Sequence, residues 1–379
     1  MHLNSTRFKS IFIVLLFFTA SLKGKALSTE QTFGYVKIGG GGYICSIIES
    51  DNEQNVFYAK SDVGGIYKWD ELSKSWVPLF SWVSHEETTF LGTESFAVDP
   101  NSPNIIYAMA GTSYWNGGKS ALLRSKDYGK TWETHETTAK FKVNGNGSYR
   151  QKGEALAIDP SNGSIMYFGT RYHNGLFKSA DSGKTWDKVS SFPDSIGNEA
   201  SFSFILFDEN NCTDKCSTII VGVHKTGNNL FISNDFGQTW NPMGGLTVAK
   251  PQRGVLSSKD KKLFVTYSNG SASDGYGGVY KYDLTTKTWE DITPSPNRGY
   301  SGISILKDNP QQVVVSTFNY WSSRQPWGWG DEIYYSNEGG DSGSWVRKNS
   351  DCTMNNNGIG WMEGRKINAL DCRCNNEQH

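Results

Sequence analysis

The chain has 379 residues with 37 basic and 38 acidic side chains, 41 glycines, 13% aromatics and only 20% charged residues. A balance this near to neutral leaves no electrostatic footprint for nucleic acid. Short Val/Ile/Tyr/Phe runs punctuated by Gly, Ser, Asn, Thr and Asp clusters exclude a helical protein and predict an all-β one with many turns.

Arg7 and Lys9 precede the apolar run Ile11 to Ala20, "IFIVLLFFTA", and small residues follow around Gly24 to Ser28. A basic start, a short apolar stretch and a small-residue exit read as a secretory signal peptide over residues 1–26. The run is too short to span a bilayer comfortably, and no later segment is longer or greasier. The expectation is a secreted, extracellular monomer with no membrane attachment after signal cleavage. Its removal takes away Arg7, Lys9, Lys23 and Lys25 and no acid, leaving 33 basic and 38 acidic residues, a net of −5. A neutral partner suits such a chain.

Cys45, Cys212, Cys216, Cys352, Cys372 and Cys374 all lie beyond the signal. In an exported protein they read as disulfide candidates before metal ligands. Cys212 and Cys216 flank "TDK" at a hairpin tip, where a local bridge is expected. Cys352 can pair with Cys372 or Cys374, and Cys45 in "GGYICSII" reads as a buried free thiol. No His/Cys spacing resembles a zinc site and no cofactor is implied. Four N-x-S/T sequons, at Asn146, Asn162, Asn211 and Asn269, fall in turn-like contexts and read as glycosylation sites.

One stretch resists a plain strand reading. In "YAKSDVGGIYKWD", Tyr58 to Asp70, a strand-like run is cut by Ser61-Asp62-Val63-Gly64-Gly65 and then resumes. Two glycines weaken a strand, and aspartate is a poor β former. Asp62 therefore stands beside bare backbone for a reason that the rest of the chain must supply.

Internal periodicity is the strongest signal. "SKDYGKTW", "SADSGKTW" and "SNDFGQTW", starting at Ser125, Ser179 and Ser233, are three copies of S-x-D-x-G-x-T-W. Looser copies end at Trp76, Trp289 and Trp345, and successive terminal tryptophans are 56, 54, 54, 49 and 56 residues apart. The motif is a hairpin tip: Asp accepts turn amides, Gly takes positive φ, Thr restarts the strand, and Trp folds under the turn. It resembles the Asp-box, which joins the third and fourth strands of β-propeller blades, so Asp127, Asp181 and Asp235 read as structural. Interleaved with it are six apolar strand–turn–strand pairs, from "IIESDNEQNVFYA" to "ISILKDNPQQVVVST". The expectation is an all-β Asp-box propeller over residues 27–379, with six complete four-stranded blades. An incomplete seventh begins at "KINALD", Lys366 to Asp371, where "FGYVKI" near the N-terminus supplies a stray outer strand.

The ordered set "KIGGGGYICSII", "YAKSDVGGIYKWD", "WVPLFSW", "LGTESFAVDPNSPNIIYAMAGT", "YRQKGEALAIDPSNGSIMYFGTRYHNGLFKSADSGKTW" and "IGWMEGRKINALD" resembles glycoside hydrolase family 74. Its members are xyloglucan-cleaving enzymes, including oligoxyloglucan reducing-end-specific cellobiohydrolases, built from two seven-bladed propellers across a cleft. The likeness runs over roughly residues 33–371 and to the N-terminal propeller only. By position it implies that Asp62 is the general base of an inverting hydrolysis, activating water on one face of the sugar. Gly64 and Gly65 then read as clearing space for a sugar chain. Taken without the resemblance, Asp62 reads rather as a strand-end cap and the glycines as a bulge. The family's general acid belongs to the second propeller, which this sequence does not contain. Asp274 and Asp331 are weak stand-ins.

Flat aromatic side chains on loops can stack on pyranose rings. Trp82, Tyr114, Trp115, Tyr172, Trp321, Trp327 and Trp329 are the candidates, against the alternative of packing between blades. The resemblance places Arg150 and Arg171 near the cleft, to bond hydroxyls or to pair between blades. No sialidase arginine triad, G-x-S-x-G elbow, H-E-x-x-H or phosphate loop is present. Three readings follow: a xyloglucan hydrolase, a carbohydrate-binding propeller without catalysis, and an Asp-box protein-interaction module of the sortilin type.

Overall fold

The computed structural model describes residues 41–379 except 51–52, 54, 151, 172–173, 194–200, 270–275, 307–308, 319–320, 323–327, 330, 349–351, 355–371 and 375–379. At 321–322, 328–329, 352–354 and 372–374 it describes backbone alone. The signal stretch, "FGYVKI" and "KINALD" therefore lie outside the described residues, and with them the seventh blade.

Six four-stranded antiparallel sheets, each a simple meander, form a six-bladed β-propeller. Blade 1 is built from Ile44–Glu49, Phe57–Ser61, Ile66–Asp70 and Ser75–Pro78, and blade 2 from Thr93–Asp99, Ser102–Gly111, Ser120–Ser125 and Glu133–Glu136. Leu156–Asp159, Asn162–Gly169, Leu176–Ser179 and Asp187–Lys188 make blade 3; Phe202–Phe207, Ile219–Val223, Leu230–Ser233 and Asn241–Pro242 make blade 4. Blade 5 consists of Lys250–Ser257, Lys262–Ser268, Gly277–Asp283 and Thr288–Asp291, and blade 6 of Tyr300–Leu306, Asn309–Thr317, Ile333–Ser336 and Val346–Arg347. The chain leaves blade 6 after its second strand for a short ribbon in which Trp321 pairs with Trp329.

Strand alternation sends apolar side chains to both faces of the sheets in blades 2 to 5, because each of these is covered by two neighbours. Tyr58, Ile66 and Phe80 of blade 1 pack on Phe96, Ile106 and Ala108 of blade 2. Equivalent layers join blades 2 to 4, 4 to 5, and 5 to 6. Among the described residues no helix is long and apolar enough to cross a membrane.

The three strict repeats are superimposable hairpin tips between the third and fourth strands. Asp127 Oδ1 accepts from Thr131 N at 2.9 Å and Ser125 Oγ at 2.8 Å, and its Oδ2 accepts from Thr131 Oγ1 at 2.6 Å. Asp181 and Asp235 repeat all three bonds. Gly129, Gly183 and Gly237 sit at φ of 89°, 82° and 82°, where a side chain would be strained. Trp132 and Trp186 close the turn by donating Nε1–H to Gly129 O and Gly183 O, each at 3.0 Å.

Cys212 and Cys216 form the expected local disulfide at the tip between the first two strands of blade 4. Cys45 is a buried free thiol, and burial pushes its pKa up to about 12. Cys352 stands opposite Cys374 in a short ribbon, with Met354 opposite Cys372. Of the sequons, Asn211 is exposed, whereas Asn146, Asn162 and Asn269 are half-buried.

Hydrogen bonding, first from Thr131 and Thr239, holds the Asp127 and Asp235 carboxyls down at about 2. A depressed folded-state pKa adds stability above the unfolded value of about 3.9 and loses it as pH falls through the folded value. Asp127→Asn and Asp235→Asn should therefore melt below the wild type at neutral pH. The gap should close as pH drops from about 4 to about 2, read by thermal melts across pH.

Candidate active site

Asp62 sits in the turn between the second and third strands of blade 1. The turn is pinned to the segment entering the first strand: Tyr43 N–H donates to Asp62 Oδ1 at 2.7 Å, and Asp62 N–H donates to Tyr43 O at 3.0 Å. Ser61 Oγ donates to Gly41 O at 3.1 Å and accepts from Gly64 N at 3.0 Å. This closeness explains the two glycines. A Cβ on Gly64 would lie 2.1 Å from Gly41 O. One on Gly65, at φ 76°, would lie 2.6 Å from the Phe80 ring. What the bare backbone admits is the protein's own chain and the Phe80 ring.

Arg150 supplies the counter-charge. Its Nε lies 2.7 Å from Asp62 Oδ2, a charge contact whose N–H does not point along the hydrogen-bond line. Its guanidinium also stands 5.2 Å from the centre of the Tyr43 ring. Asp62 is only 4% exposed, while the Arg150 side chain is 31% exposed, so solvent reaches the pair from the arginine side. Burial raises the Asp62 pKa above the ordinary value, and Arg150 only partly offsets it. A buried carboxylate with raised proton affinity and one cationic neighbour is suited to accept a proton from water.

Arg171, the second expected sugar-binding arginine, is only 4% exposed and belongs to a different contact. Its Nε lies 2.5 Å from Glu94 Oε2, and another N–H donates to Ser148 O. Lys152 Nζ takes Glu94 Oε1 at 3.2 Å. Burial works against the Glu94 charge, yet Arg171 and Lys152 hold its pKa at about 2; burial brings Lys152 down to about 8. Next to this cluster, Glu154 accepts from Lys60, Ser46, Ser95 and the Phe96 N–H. Arg171 is therefore an inter-blade tie; its pairing leaves it little reach toward a ligand.

None of Glu94, Lys152, Glu154 or Lys60 was singled out from the sequence. The available signal was charge inside apolar strand runs, as in "LGTESF" and "KGEALAI".

One more residue stands out near Asp62. Tyr149 holds φ at 62°, sparsely populated for a bulky side chain. Such strain costs about 1–3 kcal/mol. Its ring lies 4.3 Å from the His224 ring, and Lys250 Nζ lies 4.9 Å from its centre. Each such contact contributes about 0.5–1.5 kcal/mol, so together they match the strain.

The aromatic candidates divide. Tyr114 is 57% exposed, packs edge-on against Trp115 and accepts from Asn146 Nδ2 at 2.5 Å. Trp82 is 36% exposed and meets Phe80 edge-on. Both offer open ring surface. Tyr172 and Trp327 lie outside the described residues, as do the side chains of Trp321 and Trp329. Asp331 is buried, accepting from Thr317 Oγ1 at 3.0 Å, and Asp274 lies outside the described residues.

Residues 120–291 match the family described as Sortilin, neurotensin receptor 3. The chain is 37% identical over 328 residues to a xyloglucanase of Acetivibrio thermocellus, covering 80% of this chain and 38% of that protein. The crystal structure of the GH74 enzyme from Niastella koreensis superposes with a TM-score of 0.77 at 40% identity, over 88% of this chain and 49% of that one. The GH74 xyloglucanase from Xanthomonas campestris gives a TM-score of 0.75 at 30% identity, over 84% and 47%. The chain spans less than half the length of the curated relatives it matches.

Two outcomes follow from the charges. Glu94→Gln strands Lys152 and Arg171, and should lower stability by about 3–5 kcal/mol in denaturant titrations. Asp62→Asn should do the opposite at neutral pH. Because the folded pKa of Asp62 is raised, the ionised carboxylate costs stability above that pKa and none below the unfolded value. The variant should melt above the wild type near neutrality, with the two converging in acid.

Proposed function

We propose, for a chain whose propeller belongs to glycoside hydrolase family 74, that it acts on xyloglucan or a related branched β-1,4-glucan by inverting hydrolysis, with Asp62 as general base. One observation carries this reading: a buried carboxylate of raised pKa beside a half-exposed Arg150, in the stretch that the resemblance assigns to the base. Oδ1 is committed to the Tyr43 amide, leaving Oδ2 to take the proton from water. Arg150 keeps the carboxylate ionised between turnovers, and its open side is where a glucan and a water would approach. Trp82 and Tyr114 supply apolar ring surface for pyranose faces.

Inversion needs a second carboxyl, protonated, on the opposite side of the scissile bond. The resemblance places it in a second propeller. Acid and base each contribute about 10²–10⁴-fold, so loss of either carboxyl is expected to slow hydrolysis by that factor.

A second reading, a carbohydrate-binding propeller, is favoured by the burial of Asp62, both of whose oxygens already have partners in the free protein. The chain is also proposed to be secreted as a monomer after removal of residues 1–26, and to carry glycans at its sequons.

Reducing-sugar release from xyloglucan separates the two. Hydrolysis requires release by the wild type that falls at least about 100-fold in Asp62→Ala. Release from neither, with retarded migration in xyloglucan gels, leaves the binding reading. Absence of both removes the carbohydrate assignment.

A further inference from the structure

Ser148, Tyr149, Arg150 and Lys152 lie on one turn leading into blade 3, and each is held from a different direction. Ser148 O accepts from Arg171, and Lys152 Nζ takes Glu94 Oε1. Glu94 also takes Arg171, so a single buried carboxylate clamps both ends of the turn. Between the ends, Tyr149 stands in the left-handed region with its ring against His224 of blade 4, and beside Lys250 of blade 5. The next residue, Arg150, reaches Asp62 of blade 1.

His224 is itself fixed. It is 2% exposed, its N–H donates to Ser201 O at 2.7 Å, and Gln252 Nε2 lies 3.0 Å from its Nε2. Burial, reinforced by Lys250, Lys152 and Arg171, keeps the ring neutral. A neutral, immobile ring is a firm surface for Tyr149 to lie on. Backbone strain persists only where the surroundings over-determine it. Here the product of that strain is the placement of one guanidinium.

We propose that Tyr149 and His224 are positioning residues for Asp62, bracing a strained turn that fixes Arg150 against the carboxylate. Neither touches Asp62. Without the ring contact the turn relaxes to negative φ, and Arg150 swings out toward the solvent that already reaches it. The titratable and charged groups facing this array are Arg150 and the neutral Cys45 thiol around Asp62, and Lys250, Lys152 and Arg171 around His224. The proposal rests on Asp62 being the base of the reading above, but its test needs no substrate.

The experiment follows the Asp62 carboxyl ¹³C resonance through pH in the labelled full chain, assigned by its loss in Asp62→Asn. Arg150→Ala should move the titration upward by removing the one cation that lowers it. Tyr149→Ala, which removes the ring and keeps the strain, and His224→Ala, which acts from another blade, should each move it the same way. Tyr149→Phe keeps the ring and should leave it in place. If melting temperatures fall in Tyr149→Ala or His224→Ala while the carboxyl titrates as in the wild type, the role is structural and the proposal is overturned. An unmoved titration in Arg150→Ala, or a moved one in Tyr149→Phe, overturns it equally. Absence of sugar release by the wild type would count against the hydrolase reading alone.

Discussion

Glu94 is buried with Lys152 on one carboxylate oxygen and Arg171 on the other, and the path of two loops follows from that contact. A buried carboxylate left alone costs several kcal/mol, so whichever loops bring its cations have little freedom to wander. Glu154 works similarly, collecting Lys60 and Ser46 of blade 1 with Ser95 and the Phe96 amide of blade 2. Arg253 of blade 5 completes the set by donating to Cys45 O of blade 1 at 2.7 Å. Apolar layers hold each blade to its neighbour, but these charged ties also join blades that are not consecutive.

Two kinds of order thus coexist in the propeller. The hairpin tips are local and interchangeable: Asp127, Asp181 and Asp235 make the same three bonds within seven residues, and none depends on another blade. The charged ties are long-range and unique. Glu94 and Arg171 are 77 positions apart, Lys60 and Glu154 94. A repeat can be copied without disturbing its neighbours, whereas a unique tie constrains every blade it joins. The candidate site lies among the unique ties, where blade 1, the blade 3 loop and the edges of blades 4 and 5 meet.

That division also explains what the sequence discloses. Six blades and their turns are legible because the repeat encodes them locally: Gly at a positive φ, Asp two residues after Ser, Trp at a spacing near fifty-four. The Cys212–Cys216 bridge and the buried Cys45 are legible for the same reason, one being a tip and the other a strand interior. Asp62 was visible as an anomaly within its strand. Of the two arginines read as bonding hydroxyls or pairing between blades, Arg150 pairs with Asp62 and Arg171 with Glu94. Pairings across 77 or 88 positions leave no periodic trace, and the positive φ of Tyr149 has no residue signature, since neither glycine nor asparagine stands there.

The glycines beside Asp62 show how a local oddity and a long-range tie become one device. Gly64 allows Gly41 O to come within touching distance, and that approach is what brings the Tyr43 amide onto Asp62 Oδ1. With one oxygen fixed from inside, the other can only face Arg150. A lysine there would be a mobile point charge that sheds its proton when buried, whereas guanidinium stays charged and planar against the Tyr43 ring. The cost of burying the carboxylate is therefore not fully returned by its partner, which is why its proton affinity rises rather than falls. A stability-optimised blade would place a neutral side chain at position 62. Retaining an ionisable one, held at two points beside a partly exposed arginine, makes sense if its proton is what the site uses.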